Sequence, residues 1–331
     1  MESIKIAEIF DRLINAFEQQ NYEDILDLFH EDLYFEHSAI GKAVNRHEFI
    51  RLMSTNKIDA DSIKIRIFNN VLRSEEEKAC QSAYMVLLIY KDIRDFRHIF
   101  QCGFLTELCY AKEEDWKIIS FRSNMTFECG NSMIVGSHWK LIDYKMFNGN
   151  DFHLFAKRSG PWMYKQSDIL SEEQKVMQTF YHYCWLIDTC SFDQLDQVYC
   201  DPFIMKNEKL PAFNDGKAVS LTDAEQMFKK KRYLKILADG QLIPKEACWN
   251  HIAHFEQLQI NGNYAKAVIY RYEPNRIGTR FLHKYNYKTI YYSGIWELEL
   301  VKENKEIWKI EKYSFKNQIV EDANEKDKRY F

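Results

Sequence analysis

The chain is poor in the residues that interrupt regular structure. Glycine and proline number 11 and 5 among 331 residues, together less than half of the roughly 12 % that is usual. That excludes collagen-like and Pro/Gly-rich disordered chains. No GxGxxG or GxxxxGK[ST] occurs, so nucleotide phosphates find no glycine-rich cradle. The eight cysteines form no CxxC, which removes zinc-ribbon and thioredoxin-type sites. A basic excess is also missing. Lys and Arg total 45 against 49 Asp and Glu, a net charge of −4, so no nucleic-acid partner is expected. The one basic run, Lys229-Lys230-Lys231-Arg232, closes a helical pattern, where cations suit the helix dipole. The longest obvious apolar run, Tyr84 to Tyr90, is far too short to span a bilayer. The first residues, Met1-Glu2-Ser3-Ile4-Lys5, read as an amphipathic helix rather than a signal peptide. The expectation is a cytoplasmic protein with reduced, buried thiols and no membrane contact. What the chain has in quantity is aromatic: 23 Phe, 20 Tyr and 7 Trp, or 15 %. It is long enough for sizeable cores, and its length suggests about two domains.

The sequence is written twice. Gly41-Lys42-Ala43-Val44 recurs as Gly216-Lys217-Ala218-Val219, and Trp116-Lys117-Ile118 recurs as Trp308-Lys309-Ile310. Between them, Cys102-Gly103-Phe104 with Glu107 is similar to Ser293-Gly294-Ile295 with Glu297. The order of segments is kept while the offset grows, mainly through an insertion between Lys229 and Cys248. A period this long means duplicated domains: 1–135 and 165–325, joined by a linker, 136–164, whose aromatics suggest that it packs on a domain.

Each copy has one grammar. Ile6, Ile9, Phe10, Leu13 and Phe17 in the first, and Val176, Phe180, Tyr183, Cys184 and Ile187 in the second, have amphipathic-helix spacing. Ser171 with Gln174 has capping-box spacing at the second start. A short second helix follows in each, with Ser191 and Gln194 again spaced as a box. A third starts after the Gly-Lys-Ala-Val segment, with Asn45 and Glu48 as cap candidates. The rest reads as strands: 63–67, 80–90, 96–109 and 116–128, then 249–260, 264–272, 289–301 and 307–315. Asn261-Gly262-Asn263 is a hairpin turn. Helices followed by strands predict an α+β fold, with helices on one face of an antiparallel sheet.

Three helices before a long curved sheet resemble the nuclear transport factor 2-like superfamily, which includes SnoaL-like cyclases, scytalone dehydratase and bile acid dehydratase. The phrase Tyr183-Cys184-Trp185-Leu186-Ile187-Asp188-Thr189-Cys190-Ser191-Phe192-Asp193-Gln194-Leu195 carries the resemblance, with Gly216, His254-Phe255 and the closing Trp308-x-Ile310 strand. The resemblance implies two cone-shaped domains. It also implies a catalytic dyad of Asp188 and His254, with Tyr183 lining the same cavity. A neutral imidazole can take a proton from carbon beside a carbonyl, and a carboxylate can orient it. Such chemistry needs no cofactor and no metal. No metal site is expected at His30, Glu36 and His37 either. The first copy departs from the pattern. Glu18 matches Asp188, and Phe68 falls where His254 stands, although His37 or His98 could enter that cavity from other elements. Lys316 is an imperfect match to the superfamily's basic residue beyond the closing strand.

Two functional classes follow. One is a cofactor-independent lyase or isomerase acting on a small hydrophobic, ring-containing molecule in the second domain. The other is a non-catalytic ligand-binding or dimerisation module, since fold does not fix function. Because this superfamily dimerises sheet against sheet, the tandem is expected to form an intramolecular pseudo-dimer.

Overall fold

A computed structural model describes residues 2–94, 96–137, 139–141, 160–165, 170–208, 213–236, 242–244, 251–283, 286–304 and 307–321. The chain divides into two units, 1–167 (with Phe331) and 168–330.

In the first unit, α1 (Glu2–Gln19) buries Ile6, Phe10, Leu13 and Ala16 along one stripe. The short second helix is a 3-10 turn, Glu23–Leu28. It leads directly into a strand that the helix-first pattern hid, β1 (Phe29–His37), whose Phe29, Leu33 and Phe35 are buried. The Gly-Lys-Ala-Val segment supplies β2 (Gly41–Ala43) before α2 (Arg46–Thr55). Asn45 caps α2: its Oδ1 accepts the Glu48 N–H at 2.8 Å, and the Glu48 carboxylate accepts the Val44 N–H at 2.9 Å. Such a cap contributes about 1 kcal/mol. Four long strands complete the sheet: β3 (Ser62–Glu75), β4 (Lys78–Ile93), β5 (Phe96–Lys112) and β6 (Trp116–Gly130). The order is β2-β1-β6-β5-β4-β3. Every ladder is antiparallel except β1–β6, which is parallel. After β6 the chain turns back over the core. Ile134, Val135 and Trp139 are buried there with Phe100, Phe104 and Met125.

The second unit repeats this plan. It has α3 (Glu172–Asp188), a 3-10 turn Phe192–Gln197, β7 (Tyr199–Asn207), β8 (Lys217–Val219) and α4 (Leu221–Arg232). A two-stranded pair, β9 (Tyr233–Ile236) and β10 (Leu242–Pro244), lies within the insertion. The strands β11 (Ile252–Asn261), β12 (Tyr264–His283), β13 (Asn286–Glu303) and β14 (Ile307–Glu321) follow. The order is β11-β12-β13-β14-β7-β8, again with one parallel ladder, β7–β14. The capping box at Ser171 forms in both directions, at 2.9 and 3.3 Å. The one expected at Ser191 does not, because the Ser191 hydroxyl bonds the Thr189 hydroxyl at 2.9 Å instead. Asn261 pairs with Tyr264 across a two-residue turn, where Gly262 supplies the positive φ of 59°. Trp249, placed at a strand start by the sequence, and Cys248, the far end of the insertion, lie outside the described residues. Among the described residues no helix is long and apolar enough to cross a membrane.

The recurring tryptophan has one job in both copies. Trp116 Nε1 donates to Glu2 Oε2 at 2.6 Å, and Trp308 Nε1 donates to Glu172 Oε2 at 2.9 Å. Lys112 and Lys302 reach the same two carboxylates at 3.2 and 2.8 Å. The closing hairpin thus grips an acid in the first turn of the leading helix, where the helix dipole favours negative charge. Lys302 foremost, with Lys175 and Trp308, holds the Glu172 carboxyl down at about 2.

Candidate functional site

The interior of the second domain buries a carboxylate, an imidazole, a guanidinium and several phenols. Tyr183 and Asp188 both come from α3, and both are buried. Asp188 is its last residue. A carboxylate there opposes the helix dipole by about 0.3–1 kcal/mol, so its burial requires partners. His251, just before β11, supplies two. Its backbone N–H donates to Asp188 Oδ2 at 2.9 Å, and its ring Nδ1 meets Asp188 Oδ1. The two residues are only 2 % and 3 % exposed. With the proton held on Nδ1 by the carboxylate, Nε2 is the basic nitrogen.

The partner of Asp188 is therefore His251 and not His254. Strand parity decides between them. Phe255 packs edge-on against Phe180 of α3 at 5.9 Å, which turns 251, 253 and 255 toward the helix. His254, paired with Tyr270, faces the other way and is exposed. Lys316 is also outside the site. It is half-exposed and bonds Glu297 at 2.6 Å.

Around the pair stand residues that sequence patterning did not single out. The Tyr183 hydroxyl donates to Tyr313 Oη at 3.2 Å, and Trp296 Nε1 donates to the same oxygen at 2.9 Å. The ring of His251 lies 6.1 Å from that of Tyr183 and 5.9 Å from that of Trp296. Tyr199 packs edge-on against Tyr183 at 5.8 Å. The buried Arg271 lies over the Trp296 and Phe315 rings, 5.5 and 5.8 Å from their centres. Gly294, paired with Arg271, makes room for Phe315, since a Cβ there would come within 2.3 Å of that ring. Burial pushes Tyr183 and Tyr199 well above the ordinary phenol range, and it raises Tyr313 against the opposing bonds from Tyr183 and Trp296. At neutral pH all three are protonated donors.

The first domain is the internal control. Both sheets carry a bulge next to matching pairs, Tyr110–Ile118 and Leu300–Ile310, and Lys112 pairs with Trp116 as Lys302 pairs with Trp308. Following the ladders across each sheet matches Phe121 with Tyr313, Met85 with Arg271 and Ile65 with His251. The constant offset along the helix and first strand matches Leu13 with Tyr183, Phe29 with Tyr199 and Glu18 with Asp188. One contact checks the match independently. The Glu18 carboxylate accepts the Ile65 N–H at 2.7 Å, as Asp188 accepts that of His251. The carboxylate-to-strand bond is thus common to both copies. The imidazole, three phenols and the guanidinium belong to the second alone. The same ladders correct one sequence match. Gly103 aligns with Ser293, one residue from Gly294, so the two glycines face opposite sides of their sheets. Glu107 and Glu297 do align.

The first domain keeps a cavity of about 30 Å³, lined by Phe17, His37, Met85, Phe104 and Trp139 among others. That is room for about one water. His37 is its titratable wall. Burial takes its imidazole down to about 3, and Nδ1 accepts the Ala39 N–H at 3.2 Å. His98 is not part of that lining and pairs with the Asn131 side chain at 2.8 Å. Phe68 is half-buried beside the β3 bulge. Among the described residues, no three His, Cys, Asp or Glu side chains converge as a metal would require.

Residues 2–126 match the family model of the calcium/calmodulin dependent protein kinase II association domain. Three solved structures show the extent of likeness. A hexachlorocyclohexane dehydrochlorinase (LinA) Type2 is 11 % identical, covering 42 % of this chain and 93 % of its own, with a TM-score of 0.35. A LinA-type3 enzyme from Novosphingobium barchaimii LL02 is 10 % identical, covering 42 % and 94 %, with a TM-score of 0.33. An NTF2-like protein with a cystatin-like fold from Novosphingobium aromaticivorans is 10 % identical, covering 37 % and 80 %, with a TM-score of 0.28. No curated protein sequence is similar to the chain. The two α+β units repeat one plan, leading helices followed by a six-stranded sheet with a single parallel ladder, as a tandem duplication does.

Proposed function

We propose that the second domain is a cofactor-independent lyase or isomerase for a small, hydrophobic, ring-containing carbonyl compound, with Asp188–His251 as its base. One observation carries this reading: a buried imidazole paired with a carboxylate beside three protonated phenols, the imidazole and the phenols standing where the first domain holds Ile65, Leu13, Phe29 and Phe121. Buried polar groups are costly unless they are hydrogen-bonded or paired, and here they stand where the first copy folds with apolar side chains.

In this mechanism His251 Nε2 removes a proton from carbon beside the carbonyl. Asp188 keeps Nδ1 protonated and stabilises the imidazolium. The electron pair moves into an enolate. The Tyr313 oxygen already accepts bonds from Tyr183 and Trp296, so its own proton is free to meet the enolate oxygen. Expulsion of a β-hydroxyl, protonated by the imidazolium, releases water. Return of the proton to another carbon isomerises the substrate instead. Tyr183 acts through Tyr313 as a positioning residue.

A binding-only module is the second reading. It is favoured by the way Tyr183, Tyr313 and Trp296 satisfy one another. The two are separated with 3-hydroxycyclohexanone as probe. Enone absorbance should appear with the native chain and vanish with His251→Gln, while circular dichroism stays unchanged. Deuterium exchange beside the carbonyl of cyclohexanone in D2O should follow the same pattern. Saturable binding of these ketones without turnover or exchange establishes the binding reading, and equal rates for native and His251→Gln chains refute the mechanism.

A further inference from the structure

Cys80 on β4 and Cys109 on β5 stand directly opposite each other in the antiparallel ladder of the first domain. Directly opposed residues in such ladders have Cα atoms about 4.5–5.5 Å apart, within the span that a disulfide bridges. The two sulfurs already touch, with Sγ–Sγ at 3.7 Å. Both thiols are reduced. Their alternate neighbours Ala79, Ala83, Leu108 and Tyr110 pack into the core under α1, so the pair lies on the opposite face of the sheet. Cys80 is buried, whereas Cys109 is half-buried. Beside them lies the short turn Pro161–Met163 with Tyr164, held by Arg73. The guanidinium donates to the Tyr164 carbonyl at 3.2 Å and stacks over Trp162 at 4.9 Å.

We propose that Cys80 and Cys109 are a redox pair, converted by hydrogen peroxide into a cross-strand disulfide. The exposures assign the roles. The Cys109 thiolate attacks one peroxide oxygen and the O–O bond breaks. This leaves Cys109 as a sulfenic acid and releases water after proton uptake. Cys80 then attacks the Cys109 sulfur. The S–S bond forms, the S–O bond breaks, and the Cys80 proton departs with the oxygen as a second water. Two thiols lose two electrons, and one peroxide becomes two waters. Its bond to Cys109, then burial, pushes the Cys80 thiol well above its ordinary value, in keeping with a resolving rather than an attacking role.

The test uses the full chain, reduced, desalted and titrated with hydrogen peroxide, then alkylated with N-ethylmaleimide and digested without reductant. A peptide joining Cys80 to Cys109, two hydrogens lighter than the sum of its parts and split by dithiothreitol, is expected as the first oxidation product. Cys80→Ser should instead leave Cys109 as a sulfenic acid that dimedone labels, and Cys109→Ser should leave Cys80 alkylatable. Circular dichroism checks that both variants fold. Native chains in which both thiols stay alkylatable while other cysteines oxidise overturn the proposal. So does direct passage of Cys109 to the sulfinic acid.

Discussion

Replacing Asp188 tests the site at its base. Asp188→Asn preserves shape but changes what the group can accept. The carboxylate receives both the backbone N–H and the ring Nδ1 of His251. An amide has one acceptor side and one donor side. If its oxygen keeps the backbone N–H, its NH2 faces Nδ1, which must become an acceptor, and the ring proton moves to Nε2. One charge-assisted bond becomes a neutral one, a loss of about 1–1.5 kcal/mol. Asp188→Ala leaves two buried donors unmet, at about 1–3 kcal/mol each, partly offset by removing an anion from a helix C-terminus. The net is about 2–5 kcal/mol. In the first domain Glu18→Ala removes the bond to Ile65 and an exposed contact with Lys64, about 1 kcal/mol. At about 2–4 °C per kcal/mol for a domain of this size, calorimetry should show Asp188→Ala lowering the second domain's transition by about 5–15 °C. Glu18→Ala should move the first by a few degrees. Long-range proton–nitrogen NMR reads the tautomer. An Asp188→Asn chain that keeps its proton on Nδ1, or an Asp188→Ala chain no less stable than Glu18→Ala, refutes the reasoning.

Two further outcomes are expected. A Cβ on Gly294 would come within 2.3 Å of Phe315, and one on Gly103 within 2.0 Å of Phe127. Alanine at either should cost about 1–3 kcal/mol by overpacking, and Phe315→Leu should recover part of the first loss in thermal melts. His37 has its folded-state value depressed to about 3 from 6.5, so the unfolded chain binds a proton that the folded domain refuses. Stability contributed by neutral His37 is full above 6.5 and is lost as pH falls toward 3, at up to about 1.4 kcal/mol per pH unit. His37→Phe should flatten that acid limb in melts across pH 7 to 4, and an unchanged slope counts against a buried neutral imidazole.

The duplication and the helix-then-sheet order were legible because they rest on residues with fixed duties. Trp116 and Trp308 each hold an acid of the leading helix, and Gly41, which opens β2, and Gly216, just before β8, both carry positive φ. The strands β1 and β7 were not legible. They follow a 3-10 turn without an intervening loop, and β7 carries Pro202 within it. Tyr183 and Asp188 came from the resemblance to the superfamily's motif, whose fixed spacing the regular helix α3 preserves. The histidine could not be fixed the same way. His251 and His254 lie three apart, strand parity puts them on opposite faces, and only the packing of Phe255 on Phe180 chooses between them. Tyr313, Trp296 and Arg271 look like ordinary strand residues until the ladders bring them together. Position 294 shows the same limit, because a one-residue slip in matching it reverses the face.

Matched interiors that differ in polarity imply unequal halves. Where the first copy places Leu13, Phe29, Ile65, Met85 and Phe121, the second holds desolvated hydroxyls, an imidazole and a guanidinium. Groups of that kind trade stability for chemistry. On warming, the half with the polar heart should melt first. Activity would then disappear while the first copy still gives its full share of secondary-structure signal, and the chain would report its own loss of function as the first of two separate steps.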